Sequence, residues 1–383
     1  MLSLYLHIPF CVRKCLYCDF LSFPADETQK EHYLQLLLRE IECMGRQFAD
    51  RTVGTVFFGG GTPSILTPEQ IGRMMEALYG SFRILPDAEI TMECNPGTAD
   101  ADKLQKMRRA GINRLSIGLQ STDDGELRRL GRIHSYEQFL VTYDAARAAG
   151  FENINIDLMS ALPGQDESSW EQTLKRVIRL KPEHISAYSL ILEEGTPFWE
   201  MADELQLPDE ETDRCMYRRT DELLSESGYH RYEISNYAMT GFECRHNKVY
   251  WQRGEYLGLG LGAASLVGEV RRKCPDTMEE YEVYIKQLEQ DPSAGWTDLC
   301  EEEVLTRKDR MEEYMFLGMR MTEGVSEAVF YECFGETMDF VFGPKLERYE
   351  REGLIRREQG MVRLTDRGLD LSNYVFSGLL LDD

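Results

Sequence analysis

The sequence predicts an α/β protein: a partial (β/α)6 barrel followed by a mostly helical C-terminal domain. Three observations predict it. Short β-branched or apolar runs alternate with amphipathic helical stretches through the first half of the chain, the pattern of repeated βα units on a parallel sheet. The alternation completes six units and stops, short of the eight of a closed barrel. Beyond it, helical stretches and one hairpin replace the βα period. With 383 residues there is room for two domains.

In chain order, strands are expected at 2–7, 55–58, 89–93, 114–119, 153–159 and 184–190. Helices fall between them. The clearest is 28–45, where Tyr33, Leu36, Leu37, Glu40, Ile41 and Met44 form a mostly apolar stripe at i, i+3, i+4 spacing and Gly45 supplies a stop. Others are expected at 68–79, 102–110, 136–149 (stopped by Gly150) and 168–180.

From about residue 194 the period breaks. A helix at 209–227, a strand around 230–235 and a glycine-rich run at 254–268 follow. The tail from about 276 reads as mostly helical, with a strongly periodic helix at 306–321. A hairpin of strands 354–357 and 361–364 precedes a last helix from 366 to about 378. Helices plus a hairpin resemble a winged helix, a common DNA-binding form. Here Glu347, Glu350, Glu352, Glu358 and Asp366 offset the local arginines, which points to a packing or protein-contact module. The expected units are 1–235 (barrel), 236–290 (connecting segment) and 291–383 (helical domain).

Forty-three Lys plus Arg against 67 Asp plus Glu give a formal charge of −24, which opposes binding to nucleic acid or anionic membranes. No stretch approaches the roughly 20 apolar residues of a membrane span, and the N-terminus lacks the basic region of a signal peptide. A cytosolic protein is expected. Seven of the ten cysteines are scattered without framework spacing, as reduced thiols would be.

The other three are not scattered. Cys11, Cys15 and Cys18 stand within eight residues, directly after the first strand. A loop with three and then two intervening residues can point three sulfurs at one centre with no fourth ligand nearby. Three thiolates on a [4Fe–4S] cube leave one iron open to an exogenous ligand. Structural zinc is the alternative, but it is usually a closed four-ligand site built from two pairs, and no second pair occurs in the chain.

Other unusual residues fall where the strands should end, the face at which parallel barrels carry their chemistry. Gly59, Gly60, Gly61, Thr62 and Pro63 follow the second strand, and missing side chains there would let backbone approach a ligand; a plain tight turn is the alternative. Glu93 ends the third strand, Gln120 the fourth, and Asp157 lies on the fifth. Two carboxylates and an amide facing one mouth can hydrogen-bond an ammonium and ribose hydroxyls.

These blocks, Tyr5 to Cys11, Gly59 to Pro63, Glu93 to Pro96, Ser116 to Gln120 and Ile156 to Gln165, resemble in order and spacing the oxygen-independent coproporphyrinogen oxidase group of the radical S-adenosylmethionine (SAM) superfamily, over essentially the whole chain. The resemblance implies a TIM-like radical SAM core in which SAM chelates the open iron. It implies that Tyr17 lies by the adenine, that Gly60, Gly61 and Thr62 contact the methionine end of SAM, and that Tyr5, Glu93, Gln120, Arg132 and Asp157 are further SAM-site residues. The family can hold two SAM molecules.

The group has two branches. The oxidase branch extends its motif by a further cysteine two residues on and has a longer N-terminal segment. Here that position is Phe20, and ten residues precede Cys11, features that resemble the HemW-type haem chaperones. The run from Arg245 to Trp251 matches a His-Asn-x-x-Tyr-Trp motif associated with haem in that branch. It implies His246 as an axial haem ligand and Tyr250 and Trp251 as walls for the porphyrin; a hydrogen-bonded core histidine is the alternative. Cys274, before Pro275, is a weaker thiolate candidate. The resemblance implies haem-accepting proteins as partners and a reductant such as a flavodoxin or ferredoxin. The rival expectation is oxidative decarboxylation of coproporphyrinogen.

Overall fold

The structure, a computed structural model, describes residues 1–291 and 296–381; residues 292–295 and 382–383 of the expected C-terminal unit lie outside the described residues. Six parallel strands form the centre: β1 (Leu2–Ile8), β2 (Thr52–Gly60), β3 (Arg83–Cys94), β4 (Arg114–Gln120), β5 (Ile154–Ser160) and β6 (His184–Ser189). They alternate with α1 (Glu27–Gln47), α2 (Pro68–Ser81), α3 (Ala101–Ala110), α4 (Asp124–Arg129), α5 (Tyr136–Ala148) and α6 (Glu167–Leu180). The period-2 alternation of strand side chains sorts the two faces. On β5, Ile154, Ile156 and Leu158 enter the apolar core with Trp170, Leu174 and Val177 of α6. Asn155, Asp157 and Met159 face the other way, into the barrel.

The sheet reaches beyond the six units at both edges. After the four-residue α7 (Pro197–Glu200) and α8 (Glu210–Glu226) come two short strands, β7 (His230–Arg231) and β8 (Asn236–Ala238); β8 adds antiparallel to β6, and β7 pairs antiparallel with β8 at the edge. A helix, α9 (Arg245–Trp251), comes next. The glycine-rich run carries two strands: β9 (Tyr256–Leu259) pairs parallel with β1, and β10 (Ala264–Val267), β11 (Val270–Lys273) and β12 (Glu301–Val304) follow antiparallel. Four strands of the segment expected to connect two domains, β8 to β11, therefore lie in one 12-stranded sheet.

The Gly45 stop is also corrected. α1 runs on to Gln47, because Gly45 is a packing residue: a Cβ there would lie 2.5 Å from the Ser81 Cβ at the end of α2. Glu40, on the apolar stripe of α1, is fully buried. It accepts from the Gly260 N–H (2.7 Å) and the Tyr281 hydroxyl (2.6 Å), tying α1 to the loop after β9 and to α10 (Met278–Gln290). Burial pushes its carboxyl up to about 7, although these donors pull the other way.

The C-terminal part has its own core. Met311 and Met315 of α11 (Arg307–Gly318) pack with Phe330 of α12 (Glu327–Phe334) and with Phe342 and Leu346 of α13 (Met338–Arg351). The expected hairpin is present as β14 (Ile355–Glu358) and β15 (Met361–Leu364), with β13 (Val325–Ser326) as a third strand. The single helix expected at the end is two, α14 (Asp366–Asp370) and α15 (Ser372–Gly378). Among the described residues no helix is long and apolar enough to cross a membrane.

Candidate cofactor site at the strand ends

The loop after β1 is held at both sides before any ligand is considered. The Gly61 N–H donates to Ile8 O (2.8 Å) and the Thr62 N–H to Phe10 O (2.7 Å), while the Cys11 N–H donates to Phe23 O (3.1 Å). The glycines make this possible. A Cβ on Gly61 would lie 2.6 Å from Phe10 O, and Gly60, at φ +107°, has the His7 ring 2.5 Å from where its Cβ would be. Their first duty is thus to let β2 close against the cysteine loop.

Above the strand ends lies a cavity of about 520 Å³, within the range of small-molecule and cofactor sites. Cys11, Cys15 and Cys18 line it, all three as free thiols. So do Tyr5, Tyr17, Gly60, Gly61, Thr62, Glu93, Gln120, Arg132 and Asp157. All twelve residues that the strand-end reading and the family resemblance pointed to line this one cavity. Among the described residues no three His, Cys, Asp or Glu side chains form a group that could hold a metal ion.

Each polar wall has a local cause. Glu93 accepts from the Gly60 N–H (3.2 Å); burial and the charge of Asp157 push its carboxyl up to about 8. Asp157 accepts from Asn155 Nδ2 (2.7 Å) and Ser116 Oγ (3.1 Å), and burial raises its carboxyl too. Gln120 sits at φ +71°, a conformation unusual for a residue with a side chain, beside a register shift between β4 and β5. Such a bulge re-aims a side chain, and Gln120 lines the cavity.

Several lining residues were missed: Asn95, Arg114, Asn155, Ser186 and Asn247. Strand parity was the available signal, since Arg114 shares a face with Ser116, Gly118 and Gln120, and Asn155 with Asp157. Arg114 is 1 % exposed and its Nε has no partner.

The chain can now be set beside known proteins. Residues 5–177 match the model of the radical SAM superfamily, and 305–371 that of the HemN C-terminal domain. "Heme chaperone HemW" of Bacillus subtilis (strain 168) is 36% identical over 99% of this chain and 99% of its own length. The protein of that name from Lactococcus lactis (strain IL1403) is 33% identical over 100% and 98%. The chain belongs to the HemW family of radical SAM proteins. A solved structure of E. coli coproporphyrinogen III oxidase (HemN), a radical SAM enzyme, superposes with a TM-score of 0.84 at 26% identity, covering 99% of this chain and 90% of that one.

In this HemW-family chain the His-Asn-x-x-Tyr-Trp segment does not line the cavity with its histidine. α9 packs against the inner face of the sheet. His246 is 1 % exposed, stacks on Phe57 (ring centroids 5.2 Å), and uses both nitrogens: Nδ1 with Thr55 Oγ1 (2.7 Å) and Nε2 with the Tyr250 hydroxyl (2.9 Å). Glu89 accepts from the N–H groups of Arg245 and His246 (3.0 and 3.1 Å) and so caps the helix. Trp251 packs with Tyr232, Ala238, Cys244 and Met321, under the Arg320 guanidinium. Only Asn247 of the segment reaches the cavity. Cys274 is buried against Glu40 (3.6 Å).

Proposed function

We propose that this chain is a cytosolic haem chaperone that binds haem and passes it to haem-accepting proteins, carrying a [4Fe–4S] cluster and SAM. The full-length likeness to proteins named heme chaperone carries the reading. Cys11, Cys15 and Cys18 would hold the cluster. The site fits: three free thiols border one cavity, and each thiolate of a cube takes its own iron, so the sulfurs need not meet at one ion. SAM would lie against Tyr5, Tyr17, Gly60, Gly61, Thr62, Glu93, Gln120, Arg132 and Asp157. When bound, the cluster supplies an electron and SAM a cleavable sulfonium. A flavodoxin or ferredoxin is the proposed electron donor.

Haem titration tests the reading. Purified protein, with and without reconstituted cluster, should give a Soret band at about one haem per chain and transfer that haem to an apo-haemoprotein. Absence of a protein-dependent Soret change overturns it. Ligation by His246, with Tyr250 and Trp251 as walls, requires that Nε2 exchange the Tyr250 hydroxyl for iron.

SAM binding carries a prediction with a sign. A ligand ammonium beside Glu93 favours the carboxylate, which in the free protein is protonated up to about pH 8. SAM binding near pH 7 should therefore release a proton and tighten as pH rises toward 8, measured by calorimetry in buffers of different ionisation enthalpy. For the free protein, Glu93 has no adverse effect below its ordinary value of 4.5, and stability falls as pH rises from there to about 8. Glu93→Ala and Asp157→Ala should each weaken SAM binding at least roughly tenfold, about 1.4 kcal/mol and close to the lower end of the range for hydrogen bonds to charged groups, with iron content near normal.

The specific observation favouring an oxidase is the fold-wide likeness to HemN. Against it stands Phe20 in place of the further cysteine, 62 % exposed at the cavity rim. With SAM and reductant present, the protein should not convert coproporphyrinogen III to protoporphyrinogen IX. Turnover that depends on Cys15 would restore the oxidase reading.

A further inference from the structure

Two of the three cysteines are joined by a continuous chain of side-chain hydrogen bonds. Arg132 Nη1 donates to Cys15 Sγ (3.6 Å) and Nη2 to Asn95 Oδ1 (2.8 Å). Asn95 Nδ2 donates to Thr62 Oγ1 (2.8 Å), and Thr62 Oγ1 lies 3.4 Å from Cys11 Sγ.

The direction of the first three bonds follows from one fact. A guanidinium only donates, so the amide of Asn95 must turn its oxygen to Arg132 and its nitrogen to Thr62. The Thr62 oxygen is then an acceptor on that side and its own proton is free; once Cys11 is a ligand thiolate, which can only accept, that proton goes to the Cys11 sulfur. Both sulfurs thus receive donors, one of them charged. Neither relation is visible from spacing, since Thr62 and Asn95 come from the loops after β2 and β3 and Arg132 from the loop between α4 and α5.

The arrangement is braced. Asn95 is fixed through its backbone, its N–H donating to Ser64 Oγ (3.2 Å) and its carbonyl accepting from Thr98 Oγ1 (2.6 Å). Arg132 Nη2 also donates to Gly118 O (2.5 Å). Gly118 leaves the space the bridge occupies: a Cβ there would lie 3.0 Å from Asn95 Oδ1 and 3.2 Å from Arg132 Nη2.

We propose that Asn95 is a positioning residue that aims Thr62 and Arg132 at the Cys11 and Cys15 sulfurs, and that this bridge sets the reduction potential of the cluster they hold. Reduction adds negative charge to the cluster and its thiolates. Hydrogen bonds to the sulfurs and a fixed positive charge beside one of them favour the reduced state, and so raise the potential. Arg132 thereby acts on the cluster as well as lining the SAM cavity, where its Nε has no partner in the protein.

The inference rests on the reading of Cys11, Cys15 and Cys18 as cluster ligands. The test is an EPR-monitored redox titration of the reconstituted full chain, with iron content and SAM affinity measured on the same samples. Arg132→Gln should reduce the equilibrium constant for reduction at least about tenfold, a fall of roughly 59 mV for one electron. Asn95→Ala should shift it in the same direction, and Arg132→Lys, which keeps the charge and a donor, should recover most of the loss. Thr62→Val keeps the shape of Thr62 and loses the hydroxyl, whereas Thr62→Ser keeps the hydroxyl, and the pair decides the matter if an Arg132 or Asn95 variant takes up less iron than wild type. Iron-loaded variants with unshifted potentials overturn the bridge and leave the cluster reading intact. A wild-type chain that takes up no iron overturns the cluster reading itself.

Discussion

Anaerobic reconstitution should load about four irons per chain, and Cys11→Ala, Cys15→Ala or Cys18→Ala should each reduce that to near zero. The expectation is all-or-none because the site has no spare ligand. Four of the remaining cysteines, Cys43, Cys244, Cys274 and Cys300, are buried and do not line the cavity, and of these Cys244 and Cys274 already donate to Glu89 and Glu40. Cys94 lines the same cavity but is 2 % exposed, with its thiol directed at Asn95 O. Burial also pushes the Cys18 thiol up to about 11, so loading the site must displace a proton that is firmly held in the free protein. Removing one ligand leaves two thiolates to bear that cost. Zinc bound at one equivalent, or iron retained in all three variants, would overturn the assignment.

How much of this was legible in the sequence follows from which signals are local. The six parallel strands were, because each is a short apolar run flanked by turn residues, and the three cysteines, Gly60, Gly61, Thr62, Glu93 and Gln120 fell at strand ends where a parallel barrel gathers its chemistry, with Asp157 on the fifth strand; Tyr5, Tyr17 and Arg132 came only with the family resemblance. The edge strands at 256–304 were not. The glycine-rich run carries no strand signal of its own, yet Gly258 is packed so closely that a Cβ would lie 2.1 Å from Ala264 O, an approach that only the tertiary fold reveals. Gly45 misled for the same reason: a glycine that stops a helix and one that lets two helices touch look alike in sequence. Asn95 was quoted as part of a block, but its function as a connector between loops depends on contacts 33 and 37 residues apart along the chain.

His246→Ala should cost the fold about 2–4 kcal/mol, the range for a substitution that both empties core space and strands buried polar groups. The loss removes the ring stacked on Phe57 and leaves the Thr55 and Tyr250 hydroxyls without their partner. Urea denaturation of the cluster-free protein measures it, and an unchanged midpoint would show that α9 is not anchored through this ring. The same variant changes the response to acid. Burial, reinforced by the charge of Arg114, lowers the His246 imidazole from 6.5 to about 3, so the folded state keeps it neutral. Below pH 6.5 the unfolded chain binds a proton that the folded chain refuses, and stability falls as pH drops toward 3, by up to about 1.4 kcal/mol per pH unit for one group. His134 and His184 are lowered as well and add to the slope, so His246→Ala should flatten the acid limb without abolishing it. For haem, the informative sample is the folded fraction of this variant. A wild-type Soret band there assigns the ring to the inner face of the barrel and sends the search for the iron ligand elsewhere. A shifted or missing band, with iron and SAM binding retained, means that Tyr250 gives way and His246 takes the metal.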